Sequence, residues 1–199
     1  YDAEVATDYG PVEILGGPGT FVIENGWKLN LKYNGGALQT FTFSSTAAVS
    51  LGSAQVSAIN LADGDDIQVT VDALGALVFT FEDDPAYFPD GIADATAQQV
   101  VDFLSDTAPQ LTWTVNAGAV EATSQRAGSD SLINFTGGTA TTKLGLTDSA
   151  GTGDFAFADA AEASEVATEI NLTATGFTAE AIGTRLQLGG RALGHRAPG

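Results

Sequence analysis

Hydrophobic and polar residues alternate over several short stretches of the chain, and this pattern predicts β-strands with one buried face. The two clearest stretches are residues 21–43 and residues 59–81, which align without a gap at an offset of 38 residues. Both stretches end on the tripeptide Phe-Thr-Phe. Their alternating apolar positions are Leu29, Leu31 and Tyr33 in the first stretch and Ile67, Val69 and Val71 in the second.

Glycine-containing turns interrupt both stretches at matching places. Residues 25–26 (Asn-Gly) and 63–64 (Asp-Gly) follow the first apolar run of each stretch. These dipeptides tolerate the positive φ angles of hairpin turns. A second turn is predicted at residues 34–36 in one stretch and at residues 72–75 in the other. We therefore predict that each stretch folds as a three-stranded β-meander.

A second pattern has the period of an α-helix. Val100, Phe103 and Leu104 have the i, i+3, i+4 spacing of one helix face within residues 95–104, and residues 161–170 show a thinner version 66 positions later. The aspartates just before these segments, Asp94 and Asp159, are expected to favour the two helix starts. Strands are predicted after the helices at residues 111–115, 119–123, 131–135 and 141–146, and again at residues 176–181 and 185–188.

These elements predict a β-rich α+β fold of repeated short meanders with one short helix per repeat unit. The first predicted domain, residues 1–148, holds the meanders 21–43 and 59–81 and a helix–hairpin unit at 94–146. The second, residues 149–199, is a partial second helix–hairpin unit with an irregular C-terminal tail. The boundary is placed in a run of small and polar residues that ends near Gly153.

This arrangement resembles repeat modules in structural proteins of tailed bacteriophages. The resemblance is carried by residues 38–43 after a glycine-rich turn, the alanine-rich helix 97–104, the strand pair near Val120, and the run 137–146. A weaker similarity links the same segments to modules inserted in flagellins and flagellar cap proteins. The resemblance implies a role at a particle surface or in an appendage, such as capsid decoration, a head fibre or a tail component.

Charge and composition narrow the possible partners. The formal net charge is −18, from 25 acidic and 7 basic residues, which disfavours nucleic acid and anionic membranes. Hydrophobic residues make up 44 % of the chain, so a packed core can form. No stretch reaches the roughly 18 consecutive apolar residues of a membrane helix. Cysteine is absent, which removes disulfides and thiolate chemistry.

Metal binding is considered because acidic residues gather in two loops. Calcium prefers oxygen ligands from such loops, although neither loop has the twelve-residue pattern of a helix-loop-helix calcium site. The alternative is turn chemistry, since aspartate beside glycine is typical of hairpin turns. No other cofactor is expected. The candidate calcium ligands are Asp63, Asp65 and Asp66 in one loop and Glu82, Asp83, Asp84 and Asp90 in the other.

Catalytic and sugar-binding residues are few. The single histidine, His195, lies in the C-terminal tail, where it is expected to be an exposed tail residue. Acidic pairs between Glu82 and Asp90 could serve a hydrolase, although a solvated acidic loop is favoured and the protein is not expected to be an enzyme. Trp27 is the candidate for ligand contact, with core packing favoured over that role, and Trp113 is expected in the core.

The function that these features favour is that of a structural component of a virus particle, such as a capsid decoration protein, acting through subunit–subunit contacts. The expected partners are other copies of the chain and other virion proteins, and the expected location is a virion surface or another extracellular assembly. The alternative is a carbohydrate-binding or adhesive β module of a phage tail or a cell-surface appendage.

Overall fold

A computed structural model describes residues 14–15, 17–32, 36–55 and 58–190 of the chain. The predictions that concern Tyr33, most of the turn 34–36, the C-terminal tail 191–199 and His195 lie outside these residues. Within them the protein has a β-rich α+β fold, which confirms the predicted fold class.

The elements of the described residues are short. The strands are β1 (Ile14–Leu15), β2 (Lys28–Lys32), β3 (Leu38–Thr42), β4 (Ser45–Leu51), β5 (Asp66–Val71), β6 (Ala76–Thr80), β7 (Leu111–Asn116), β8 (Ala119–Ala127), β9 (Leu132–Gly137), β10 (Ser149–Ala150), β11 (Thr152–Gly153), β12 (Phe177–Ile182) and β13 (Arg185–Gly190). The α-helices are α1 (Ala97–Thr107), α2 (Thr139–Leu144) and α3 (Ala163–Thr173), and 3-10 turns at Ile92–Asp94 and Ala158–Ala160 precede α1 and α3.

The chain divides into two compact units. Unit 2 is the continuous segment Ser45–Ala158, whereas unit 1 combines Tyr1–Ser44 with Asp159–Gly199. Unit 2 is therefore inserted, along the sequence, between the two halves of unit 1. The predicted division at residue 148 does not coincide with this one, because the C-terminal helix–hairpin is completed by β1, which pairs with β13.

Unit 2 contains two four-stranded antiparallel sheets. Their strand orders are β10-β9-β5-β6 and β11-β4-β8-β7. Helix α1 packs on β7 and β8, and α2 packs on β5. In the first sheet Val69 of β5 lies opposite Leu77 of β6 on one side and opposite Phe135 of β9 on the other. Strand β5 is thus an interior strand.

The core of unit 2 is aromatic next to α1. The Phe103 ring of α1 stacks on Phe81 at a centroid distance of 5.0 Å. Tyr87 meets the edge of Phe103 at 5.4 Å, and Phe88 packs against it at 5.7 Å. Because Phe81 follows directly after β6, the final Phe-Thr-Phe of the hairpin anchors that strand to the helix.

Unit 1 contains the sheet β1-β13-β12 and the separate hairpin β2-β3. Helix α3 packs on β12 and β13. The Phe41 ring of β3 meets the edge of Phe177 in β12, with ring centroids 6.0 Å apart, so the hairpin and the sheet share one core. The buried apolar side chains of unit 1 include Ile23, Phe41, Phe43, Val166, Ile170 and Phe177.

The two units place the same elements at fixed sequence offsets. Helix α3 and strands β12 and β13 begin 66 residues after α1, β7 and β8, and strands β5 and β6 begin 38 residues after β2 and β3. The antiparallel orders β4-β8-β7 and β1-β13-β12 also correspond. These are the offsets at which the sequence patterns align. Unit 2 contains in addition β9, α2, β10 and β11.

Backbone hydrogen bonds repeat at the same offsets. Phe43 N–H donates to the Trp27 carbonyl at 2.9 Å, and Phe81 N–H donates to the Asp65 carbonyl at 2.7 Å. Similarly, the first apolar run of each hairpin segment bonds to the residue that precedes the N-cap of the helix. The bonds are Phe21 N–H to the Ala161 carbonyl at 2.8 Å and Ile59 N–H to the Ala95 carbonyl at 3.0 Å.

These last bonds explain why the predicted three-stranded meanders are wrong. Residues 21–24 and 59–62 form no strand, and each stretch contributes a two-stranded hairpin instead. The first residue of each apolar run, Phe21 or Ile59, bonds to the segment before the helix instead of pairing with the hairpin that follows it. Sequence alternation alone does not distinguish these two partners, because both bury the same side-chain face.

Two local predictions are also corrected. Both helices are where the spacing predicts them, but α1 is capped by Thr96 rather than Asp94, in a reciprocal box in which Gln99 Oε1 accepts from Thr96 N at 2.8 Å. The predicted strand 141–146 is largely helix α2. Ala140 and Leu144 are buried at helical spacing, and Gly145 ends the helix in the left-handed conformation with φ 69°.

Candidate functional site

The two acidic loops approach each other on the surface of unit 2. Asp63 lies with Glu82, Asp83 and Asp84 around an open depression of about 600 Å³. Asp63 Oδ1 accepts from the Asp83 backbone N–H at 3.1 Å, and Asp83 Oδ1 accepts from the Ile92 N–H at 2.9 Å. Asp84 Oδ1 accepts from the Ala86 N–H at 2.8 Å. At least one oxygen of each aspartate is therefore used to hold a turn.

The structure thus brings together parts of the two candidate calcium loops. Asp90 is exposed, and it is not among the residues that line the depression. Within the described residues, no group of three or more acidic, histidine or cysteine side chains is arranged to hold a metal ion. Calcium binding stays a prediction.

Asp65 and Asp66 do not line this depression, and they form hydrogen bonds with residues of helix α2. The Asp65 carboxylate is 8 % exposed and accepts from the Ala62 N–H at 2.7 Å and from Lys143 Nζ at 2.6 Å. Thr139 Oγ1 donates to its other oxygen at 2.7 Å. Burial raises the pKa of Asp65, but the hydrogen bonds from Lys143, Thr139 and Ala62 outweigh it, so the pKa lies below the ordinary 3.8. This carboxylate ties α2 to β5.

We expect Asp65→Asn to lower the free energy of unfolding by about 1–3 kcal/mol at neutral pH, because hydrogen bonds to a buried carboxylate are lost. Since the folded-state pKa of Asp65 is lowered, its contribution is complete above the unfolded-state pKa and is lost as the pH falls below 3.8. Urea unfolding at several pH values should show the difference between the two proteins shrinking in that range. The exposed Asp90→Asn is the control, and a difference independent of pH would contradict this assignment.

The two tryptophans have different environments. Trp113 is 5 % exposed and donates from Nε1 to the Ala108 carbonyl at 3.0 Å, which confirms its predicted place in the core. Trp27 is 49 % exposed and donates from Nε1 to Glu24 Oε2 at 3.1 Å. The prediction that Trp27 packs in the core is therefore wrong, because Trp27 lies on the surface just before β2. Its role in ligand contact, and the carbohydrate-binding alternative with it, stay predictions.

The aromatic residues beside the acidic loop serve the core. Phe88 is 1 % exposed and packs on Phe103. Tyr87 donates its hydroxyl to Asp106 Oδ2 at 2.7 Å, and this hydrogen bond raises the pKa of Tyr87. Neither ring is free to form a flat platform for a sugar above the carboxylates. The hydrolase hypothesis gains no support from this arrangement.

The outer edge of β2 is the feature that sequence reasoning missed. In unit 2 the corresponding strand β5 pairs with β6 on one side and with β9 on the other. Strand β2 pairs with β3, and no strand of the described residues occupies its other side. The signal in the sequence is the difference between KLNLK in β2 and DIQVTV in β5, because lysine is typical of edge strands.

The apolar face of β2 is also less covered than that of β5. Leu29 and Leu31 are partly exposed, whereas their counterparts Ile67 and Val69 are fully buried. In unit 2 the additional cover comes from β9 and α2, which contribute Ile133, Ala140 and Leu144 to the buried cluster that contains β5. Unit 1 has no corresponding strand and helix in the described residues.

The chain was compared with protein-family models, with curated proteins and with solved structures, and no match was found in any of the three comparisons. Among the described residues, no helix is both long and apolar enough to span a membrane.

Proposed function

We propose that the protein is a structural subunit of a larger assembly, such as the surface of a virus particle, and that it acts through contacts with other copies of itself and with other virion proteins. One observation carries the proposal: among the described residues, unit 1 leaves uncovered a strand edge and an apolar strand face, whose counterparts within unit 2 are covered by β9 and α2. Edges of this kind are places where another chain can add a strand.

The charge of the chain sets the condition for such contacts. With a formal net charge of −18, copies repel each other at low ionic strength. Salt shortens the range of this repulsion from about 30 Å at 0.01 M to about 3 Å at 1 M. Burial of apolar strand residues is not weakened by salt in this way. Assembly should therefore increase as salt is added.

Sedimentation velocity tests the proposal. We expect the sedimentation coefficient of the chain to rise with protein concentration at about 0.5 M NaCl and to rise less at about 0.05 M. Replacing Leu29 and Leu31 together by threonine should reduce this association while keeping residues that favour a strand. The matched control is Val78→Thr, at a position 60 % exposed on β6 of unit 2, which should leave association unchanged. A chain that remains monomeric at every salt and protein concentration would contradict the proposal.

A further inference from the structure

The open edge of β2 presents backbone groups ready for pairing. The bond from Phe43 N–H to the Trp27 carbonyl fixes which residues of the strand face β3. Backbone groups of successive residues point to opposite sides of a strand, so those of Lys28, Asn30 and Lys32 point away from β3. These three residues are exposed.

Unit 2 shows which kind of segment fits this edge. The residues 38 positions after Asn30 and Lys32 are Gln68 and Thr70, and these pair with Gly137 and Asn134 of β9. That pairing is antiparallel, and it places Phe135 opposite Val69, the counterpart of Leu31. A segment binding β2 would therefore be extended, antiparallel, and apolar where it faces Leu31.

The two lysines of this edge indicate which charge the partner segment carries. Lys28 and Lys32 are two of the three lysines in a chain with 25 acidic residues. In the described part of the chain neither ammonium group has a salt-bridge partner. Their side chains share one face of β2, because they are four residues apart. Cross-strand pairs of opposite charge stabilise a sheet, so carboxylates four residues apart complement this edge.

We propose that the β2 edge binds an extended acidic segment of a second copy of this chain, as an added antiparallel strand whose carboxylates lie opposite Lys28 and Lys32. The inference rests on the proposed function, since it names the contact through which subunits associate.

A synthetic peptide provides the probe. The peptide AEVATDY has the sequence of residues 3–9 of this chain and carries two carboxylates four residues apart. In antiparallel register these carboxylates lie opposite Lys32 and Lys28, and the valine lies opposite Leu31. Binding to the full chain is followed by NMR chemical shifts at about 0.15 M salt, where the long-range repulsion is screened beyond about 8 Å but charge pairs in contact still attract. We expect shifts confined to β2 and its neighbours, and binding at least about tenfold weaker for the lysine-substituted peptide AKVATKY.

Two proline variants test whether the peptide binds the open edge of β2 or another part of the hairpin. Asn30→Pro removes a backbone donor that points away from β3, so it should weaken peptide binding at least about tenfold. Thr40→Pro removes a donor from the opposite edge of the same hairpin and should leave binding within about twofold. The pair is matched, because Asn30 and Thr40 are register partners and each variant loses the same Thr40 Oγ1 to Asn30 Oδ1 bond of 2.7 Å.

The outcomes distinguish this inference from the proposed function. Peptide binding that Asn30→Pro abolishes and Thr40→Pro preserves supports the inference. No binding, or equal effects of the two variants, overturns it, and the two lysines then serve only to keep strand edges apart. Copies that associate in salt without binding the peptide would refute this contact and leave the proposed function standing. A monomeric chain that binds the peptide would show that the β2 edge accepts an acidic strand, but it would refute both the second copy as the natural occupant and the self-assembly.

Discussion

Replacing Phe81 by alanine is expected to lower the free energy of unfolding of unit 2 by about 3–5 kcal/mol. Phe81 is fully buried and stacks on Phe103 of α1, so its removal opens a cavity between the first sheet and the helix. The stability measurement is urea or guanidinium unfolding followed by fluorescence of Trp113, which is buried within the same unit.

Val78→Ala is the matched control for this prediction. Val78 lies in β6, three residues before Phe81, and its side chain is 60 % exposed. Its truncation should change the unfolding free energy by no more than about 0.5 kcal/mol. A loss below about 1 kcal/mol for Phe81→Ala would mean that the site collapses around the missing ring, and that the aromatic cluster is not what attaches β6 to α1.

Gly138→Ala is expected to destabilise unit 2 by about 3–4 kcal/mol. Gly138 precedes α2 with φ 104°, a conformation that strains an alanine. A Cβ atom there would also collide with the carbonyl oxygen of Asp66 in β5, which is backbone and cannot rotate away. Because Thr139 and Lys143 of α2 bind Asp65, displacement of α2 would break that network as well.

Gly64→Ala separates the two causes. Gly64 has φ 87°, but no atom lies within 4 Å of the place where a Cβ would be. This variant should therefore show the conformational cost alone, about 1–2 kcal/mol. Both variants are measured by chemical denaturation under the same conditions. If Gly138→Ala cost no more than Gly64→Ala, the close contact between α2 and β5 would be refuted.

The positions of the hairpins and of α1 and α3 could be predicted from the sequence, because burial on one face leaves a period in the residues that form it. Val69 and Val100 are both fully buried, at strand and helix spacing respectively. The period of buried residues could not show that the first strand of each predicted meander is absent. Ile59 bonds to the segment before α1, and that long-range choice leaves no local period.

The candidate site was less accessible to sequence reasoning for a similar reason. The carboxylates of the acidic loops are visible in the sequence, but whether Asp63 holds a turn or a metal depends on where Asp83 lies in space. The open edge of β2 depends on the absence of a neighbouring strand among the described residues, and the lysines of residues 28–32 hint at an edge without showing which side of the strand is open. Comparison with β5 specifies it, because the corresponding strand of unit 2 has such a neighbour.

The insertion of unit 2 has a consequence for the stability of unit 1. Its two ends are tied together, since β4 pairs with β11 and Ser45 lies opposite Gly153. Once unit 2 has folded, the halves of unit 1 are separated by a short tether instead of the whole of Ser45–Ala158. Loop-closure entropy grows with the logarithm of loop length, so this shortening favours joining the halves by about 2 kcal/mol. The inserted unit therefore lowers the entropic cost of bringing the two halves of unit 1 together, so we expect unit 1 to be less stable when unit 2 is unfolded.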